Sequence, residues 1–315
     1  MLLLSAEQTR DALPFDRLIT ALDAMFLSGC EMPVRHHHDM AVPGEADATL
    51  LLMPAWVPGR YSAVKIVNVV PGNADRGLPA IAAQVLLSSG QTGEMLALID
   101  GGELTARRTA AASALAARYL AREDAAHLVL AGTGRVVENL IAAHRAVRPI
   151  TRVTVCGRSL ERTQAFARRM ADLHGVAVEA SDDLEGAVGQ ADIVSAATLS
   201  IDPLIRGAWL RPGTHVDLVG AFKPSMRESD DEAVRRAKVY VDTLAGATKE
   251  GGDITQPLAS GALTREAICG DLFGLARGDV SGRRSAEEIT LFKSVGAALE
   301  DLAAAILAYE VASRA

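Results

Sequence analysis

Two short stretches carry residue types that could do chemistry. In "AHLVLAGTGRVVENLIAAHRA", residues 126–146, an apolar run ends in Gly132-Thr133-Gly134 and gives way to helical spacing. Glycines at such a turn let a pyrophosphate approach the first N–H groups of a helix, whose dipole favours an anion. Val137 stands where a third glycine would allow close helix–strand packing, so the loop is two thirds of a dinucleotide fingerprint. The second stretch is "CGRS", Cys156–Ser159, closing the next apolar run. An NAD site usually places Asp or Glu there, accepting from the ribose 2′-OH. Arg158 and Ser159 offer instead a guanidinium and a hydroxyl, which suit a 2′-phosphate. The expected cofactor is therefore NADPH, with NADH possible.

Other residues invite weaker readings. Thr198 and Ser200 follow "DIVSAA" at the carboxyl end of an expected strand, where open parallel sheets bind ligands. His36, His37 and His38 are consecutive, so their side chains diverge, and no metal is expected. His215 and Asp217 share one face of a strand, with the histidine satisfied in the core. Gly251, Gly252 and Asp253 shape a turn, and Asp301 reads as a helix-surface or capping residue. Cys30, Cys156 and Cys269 are few and far apart, which gives neither a disulfide framework nor a zinc site.

A glycine loop of this kind needs a parallel sheet to position it. "HLVLAG", "TRVTVCG", "VAVEA", "ADIVSAAT", "THVDLVG" and "KVYVD" are short apolar runs separated by helical spacings, the pattern of βαβ units. Ser159 is the expected N-cap of a helix reaching His174. The first hundred residues differ. A helix over 14–28 precedes "ATLLLMPAW", "YSAVKIVNVV" and "AAQVLLSS", which read as an antiparallel or mixed sheet. Residues 104–120 read as a strong helix and residues 285–312 as helical nearly throughout, returning to the first domain. The expected fold class is α/β: a Rossmann-type parallel-sheet domain, residues 116–285, inserted in a smaller α+β dimerisation and substrate domain, residues 1–115 plus 286–315.

Composition sets bounds on partners. The 315 residues are 49% hydrophobic and 23% charged with a net charge of −7, which argues against a nucleic-acid-binding surface. No apolar run is long enough for a membrane span, and the opening "MLLLSAEQTRDALPFDR" lacks the basic start of a signal peptide. The expectation is a soluble cytoplasmic protein.

Taken in order, "LTARRTAAASALAARYL", "LAGTGR", "PGTHVDLVGAFKPSMRE", "VYVD", "KEGGDITQPL" and "LFKSVGAALEDLAAA" resemble the ornithine cyclodeaminase/mu-crystallin family from about residue 30 to 312. The resemblance implies the inserted Rossmann domain and a homodimer. It implies that Arg35, Lys65 and Arg108 hold a substrate carboxylate, with Lys65 lowered in pKa by burial beside two arginines. It further implies that Arg108 and Thr109 meet the cofactor pyrophosphate, and that Ser294, Val295 and Gly296 approach the nicotinamide.

One departure selects among the family's activities. The cyclodeaminases carry an acidic residue where this chain has Phe222, in Val219-Gly220-Ala221-Phe222-Lys223-Pro224. A phenyl ring cannot take a proton from an amine, although it suits the apolar ring of a cyclic imine in the substrate pocket. The resemblance thus implies a ketimine reductase acting on Δ1-pyrroline-2-carboxylate or Δ1-piperideine-2-carboxylate. The alternatives are amino acid deamination, as in ornithine cyclodeaminase or alanine dehydrogenase, and a non-catalytic NADPH-dependent small-molecule binder.

Overall fold

The computed structural model describes residues 1–314. Its chain divides into two units, one of Met1–Arg108 with the segment from Ala297 onward, the other Thr109–Gly296. The sequence reading drew these boundaries at 115 and 285; Ala315, part of the expected first domain, lies outside the described residues.

In the first unit β1 (Leu2–Leu4), α1 (Ala6–Ala12) and α2 (Phe15–Ser28) precede a run of strands. These are β2 (His36–Met40), β3 (Ala48–Val57), β4 (Tyr61–Val69), β5 (Ile81–Ser89) and β6 (Met95–Asp100). The six-stranded sheet has the order β1-β6-β5-β4-β3-β2, antiparallel except for β1 beside β6. Alternate residues of a strand face opposite sides, and register turns this into two rows. Met53, Lys65, Val85, Ile99 and Leu4 form a buried row. The C-terminal helix, Ala298–Ala312, packs on that side of β3 and β4, and α2 packs on the helix through its buried apolar face. The opposite row, Pro54, Val64, Leu86, Leu98 and Leu3, is apolar and remains half-buried or exposed.

α3 (Gly101–Leu120) opens in the first unit and continues into the second. There β7 (His127–Ala131), α4 (Arg135–Arg145), β8 (Arg152–Cys156), α5 (Leu160–His174), β9 (Ala177–Ser181), α6 (Leu184–Gln190) and β10 (Ile193–Ala196) alternate. β11 (His215–Leu218), α7 (Asp231–Arg236), β12 (Lys238–Val241), α8 (Leu244–Glu250) and α9 (Gly252–Ser260) follow. β13 (Ile268–Asp271), α10 (Leu272–Arg277) and β14 (Thr290–Lys293) complete this unit. The C-terminal helix of the first unit is α11. The eight strands are all parallel, in the order β13-β12-β14-β11-β10-β7-β8-β9. On one face Val129, Val194, Val216, Leu291 and Val239 lie in register in one core with apolar residues of α6 and α7, and on the other face Leu128, Ile193 and Phe292 are buried too, as a doubly covered sheet requires.

Two expectations need correction here. Residues 285–312 are not one helix: Thr290–Lys293 is a strand, and α11 starts only at Ala298. "ITLF" satisfies a buried strand as well as a buried helix. The pairing of Thr290–Lys293 with both His215–Leu218 and Lys238–Val241 decides it. The sequence reading also lacked β13 in this unit and β1, β2 and β6 in the first. Among the described residues, no helix is long and apolar enough to cross a membrane.

Candidate active site

The sheet order reverses at β7: β8 and β9 lie to one side, β10 and β11 to the other. Such a switch point, at the carboxyl ends of the strands, is where doubly wound folds bind ligands. Gly132 follows β7 with φ +117°, a conformation that favours glycine. A Cβ there would stand 3.1 Å from Ala197 O after β10 and 3.4 Å from a Val137 methyl. Val137 is thus fully buried and packs on the loop itself, filling the place of the third glycine without opening the turn. The Gly132 N–H donates to Cys156 O at 2.8 Å, tying the β7 loop to the end of β8.

The helix ends say what the loop is for. Ser159, Asp183, Asp230, Thr243 and Asp271 each accept a backbone N–H and cap α5, α6, α7, α8 and α10, a bond worth about 1 kcal/mol. α4 has no such cap. It begins at Gly134, and a Cβ on Gly134 would meet nothing within 4 Å. α4 shares this with α2, α9 and α11, but its start has open space before it, where an anion would meet the positive end of the helix dipole. These residues fit a dinucleotide: Gly132, Thr133 and Gly134 under its pyrophosphate, and exposed Arg158 at the end of β8 toward its adenosine half. The Ser159 hydroxyl is committed to the α5 cap.

On the other side of the switch point, buried carboxylates hold the loops. Glu228 Oε1 accepts from Thr198 N at 2.6 Å and Thr198 Oγ1 at 2.9 Å; Oε2 accepts from Gly220 N at 2.7 Å and Ala221 N at 3.3 Å. One side chain thus fixes the loops after β10 and β11. Gly220 must be glycine for that approach, since a Cβ would fall 1.9 Å from Thr198 O. The hydroxyl of Thr198, a residue expected to meet cofactor, donates to Glu228. Asp253 Oδ1 accepts from Glu228 N, Ser229 N and Ser229 Oγ, and Asp253 Oδ2 stands 3.2 Å from Lys293 Nζ. Asp242 Oδ2 accepts from Val295 N and Gly296 N, both at 2.7 Å, and from Ser294 Oγ at 3.4 Å. Gly251-Gly252-Asp253 is accordingly more than a turn. Phe222 is 39% exposed on the β11 loop, with Lys223 Nζ 5.8 Å from its ring centroid.

The first unit holds the other expected group. Lys65, in the middle of its apolar row, puts Nζ 2.7 Å from Asp301 Oδ2. Arg108 donates through Nε to Asp301 Oδ1 at 2.9 Å and through Nη1 to Glu300 Oε2 at 2.5 Å. All four side chains are buried. Asp301 is therefore not a helix-surface or capping residue, as the sequence reading had it, but the link between two cations. Burial pulls Lys65 down to about 8, with Asp301 opposing and Arg108 and Arg35 assisting. Burial likewise pushes Asp301 up, but Lys65 and Arg108 outweigh it and hold the carboxyl below its usual range. Arg35 is thus close enough to Lys65 to be felt, and is itself half-exposed. Thr109 follows on α3, half-buried.

Reading the sequence missed Glu228, Asp242, Asp253, Lys293 and Glu300. The available signals were a charge closing each of two apolar strands, in "VYVD" and "TLFK", and a carboxylate pair in an otherwise apolar helix. His36–His38 lie exposed on the edge strand β2, and no three His, Cys, Asp or Glu among the described residues are grouped to hold a metal. His215 is buried, its Nδ1 2.9 Å from Thr290 Oγ1, while Asp217 accepts from Ser195.

Comparison with known proteins agrees with this architecture. The Δ1-pyrroline-2-carboxylate reductase of Paracoccus denitrificans is 42% identical over 262 residues, 82% of each chain. The structure of Thermococcus litoralis Δ1-pyrroline-2-carboxylate reductase in complex with NADH and L-proline superposes with a TM-score of 0.93 at 34% identity, covering 100% of this chain and 98% of that one. An archaeal alanine dehydrogenase dimer with bound NAD gives 0.90 at 30% identity, covering 100% and 96%. The model of the ornithine cyclodeaminase/mu-crystallin family matches residues 2–315. With that match, and with a glycine loop, a switch point and a buried lysine–arginine–carboxylate cluster in place, the chain belongs to the ornithine cyclodeaminase/mu-crystallin family.

Proposed function

We propose that this protein is a nicotinamide-dependent reductase of small cyclic ketimine acids, Δ1-pyrroline-2-carboxylate or Δ1-piperideine-2-carboxylate, and that it prefers NADPH. The observation that carries the reading is the Lys65–Asp301–Arg108 cluster. Two buried cations, joined by Asp301 and with Arg108 held also by Glu300, offer together with Arg35 an anchor for a substrate carboxylate. Lys65, lowered to about 8, keeps its positive charge at neutral pH. The relatives named above support the substrate class, one being a reductase bound to NADH and L-proline.

Gly132, Thr133 and Gly134, with the first turn of α4, would hold the pyrophosphate. Arg108 and Thr109 on α3, and Ser294 and Gly296 after β14, complete the cofactor contacts in this reading. When bound, the dinucleotide would supply a hydride for the carbon of the protonated imine, whose C=N π pair would pass to nitrogen. The chain's own residues orient the acid by its carboxylate and keep the site apolar through Phe222. Phe222 also argues against amine release, since it supplies no proton acceptor. The NADPH preference rests on Arg158, placed where a 2′-phosphate would need a cation. A homodimer is supported by the apolar row on the open face of the first unit's sheet and by the dimeric archaeal relative.

The test is NADPH oxidation followed by absorbance with each ketimine, alongside ammonia release from L-ornithine and L-alanine. Rapid turnover of a ketimine without ammonia chemistry is expected. Ammonia release with no ketimine turnover would overturn the reading.

A further inference from the structure

Three buried carboxylates surround one buried lysine at the carboxyl edge of β10, β11, β14 and β12. Glu228, Asp242, Asp253 and Lys293 are all 0% exposed. Among the described residues, Lys293 Nζ makes no hydrogen bond and neither does the facing Asp253 Oδ2, although they are 3.2 Å apart. Of the other cations on the loop after β11, Arg227 is spent on Ser229 O and Asp231, and Lys223 is exposed with its Nζ 5.8 Å from the Phe222 ring centroid. Each carboxylate accepts from backbone N–H groups: Glu228 from Thr198, Gly220 and Ala221, Asp253 from Glu228 and Ser229, Asp242 from Thr243, Val295 and Gly296. The edge therefore gathers three acidic side chains against one buried lysine in a dry interior, an expensive arrangement for a purely structural network.

The location gives that charge a use. Arg158 and the β8 side of Gly132 are assigned to the adenosine half of the dinucleotide, so the nicotinamide half belongs to the β10 and β11 side. The two redox forms of that ring differ in charge, the reduced form being neutral and the oxidised form cationic. We propose that Glu228 is a positioning residue that fixes the β10 and β11 loops and, with Asp253 and Asp242, biases the site electrostatically toward the cationic, oxidised nicotinamide. The same bias favours the positive charge that develops as hydride departs. The inference rests on the nicotinamide part of the proposed function and on no particular imino acid. Burial, together with Asp253, raises Glu228 to about 7 against the opposing pull of Lys293. The bias therefore strengthens as pH rises through neutrality, as Glu228 loses its proton.

The experiment measures dissociation constants of the oxidised and reduced cofactor, without substrate, by titration calorimetry at pH 6 and pH 8.5. It uses whichever of NADP(H) and NAD(H) binds more tightly. In the unmodified protein the preference should shift toward the oxidised form at pH 8.5. At pH 8.5 Glu228→Gln should weaken the oxidised form about tenfold, the scale of one unit charge across roughly two strand spacings in a protein. It should leave the reduced form within about twofold and flatten the pH dependence. Equal weakening of both forms would overturn the proposal. So would a pH-independent ratio in the unmodified protein, a measurement that needs no variant to fold. Failure to reduce any ketimine would sink the functional reading alone, because these titrations contain no imino acid.

Discussion

Asp301 on α11 joins Lys65 on β4 to Arg108 on α3, with Oδ2 2.7 Å from the ammonium and Oδ1 2.9 Å from the guanidinium Nε. A carboxylate so placed keeps a buried lysine charged, and its loss has a definite sign.

Lys65 is cationic below about 8, so ketimine turnover should fall as pH rises through that value. Asp301→Asn removes the main group that raises Lys65, so the alkaline limb should move to lower pH. Breaking the buried pair should also cost stability, roughly 3 kcal/mol. Unfolding does not explain the alkaline limb of the unmodified protein. The folded lysine releases its proton near 8 and the unfolded one near its ordinary 10.5. Between those values the unfolded chain binds more protons, and the Lys65 contribution to stability rises with pH. Rate profiles and thermal melts across pH 6–10 check both signs; an alkaline limb unmoved in Asp301→Asn counts against the assignment.

Arg158 is exposed at the end of β8 with no carboxylate beside it in the "CGRS" turn. NADPH should bind at least about tenfold more tightly than NADH, about 1.4 kcal/mol, and Arg158→Ala should erase most of the difference. Titration of both cofactors against both proteins measures it. Equal affinities in the unmodified protein would remove the basis for the preference.

Phe222 decides between chemistries in this family reading. L-ornithine with oxidised cofactor should yield no measurable proline or ammonia, while a cyclic ketimine is reduced. Phe222→Asp should lower ketimine reduction by about tenfold or more, since a charge replaces apolar pocket surface. Product analysis by chromatography tests both statements, and efficient conversion of ornithine to proline by the unmodified protein would reverse them.

The row Pro54, Val64, Leu86, Leu98 and Leu3 should be covered by a second copy of the chain. Sedimentation at micromolar concentration should show a dimer, and Val64→Glu should shift it toward monomer with the far-ultraviolet circular dichroism retained. A monomeric unmodified protein would refute the assignment.

Local chemistry made part of this protein legible before any coordinates. The Ser159 cap and the helix ending at His174, the turn at Gly132, and the parallel strands from His127 to Val241 depend on neighbours within a few residues. Their signals are therefore in the sequence itself. The lysine within "SAVKIVN" was tied to Arg35 and Arg108 only through resemblance, because no local rule joins residues so far apart. Tertiary structure decided the rest. "ITLF" could be strand or helix until β11 and β12 received it between them. Asp301 lies on a helix apolar nearly all round, where no polar face marks which residue is functional; its role appears only when β4 brings Lys65 against it. Glu228 likewise gains meaning from the two strand ends it holds, whose amides converge only once β10 and β11 pair. Secondary structure follows from contacts close in sequence, whereas a buried charge is defined by whichever distant groups share its low-dielectric surroundings.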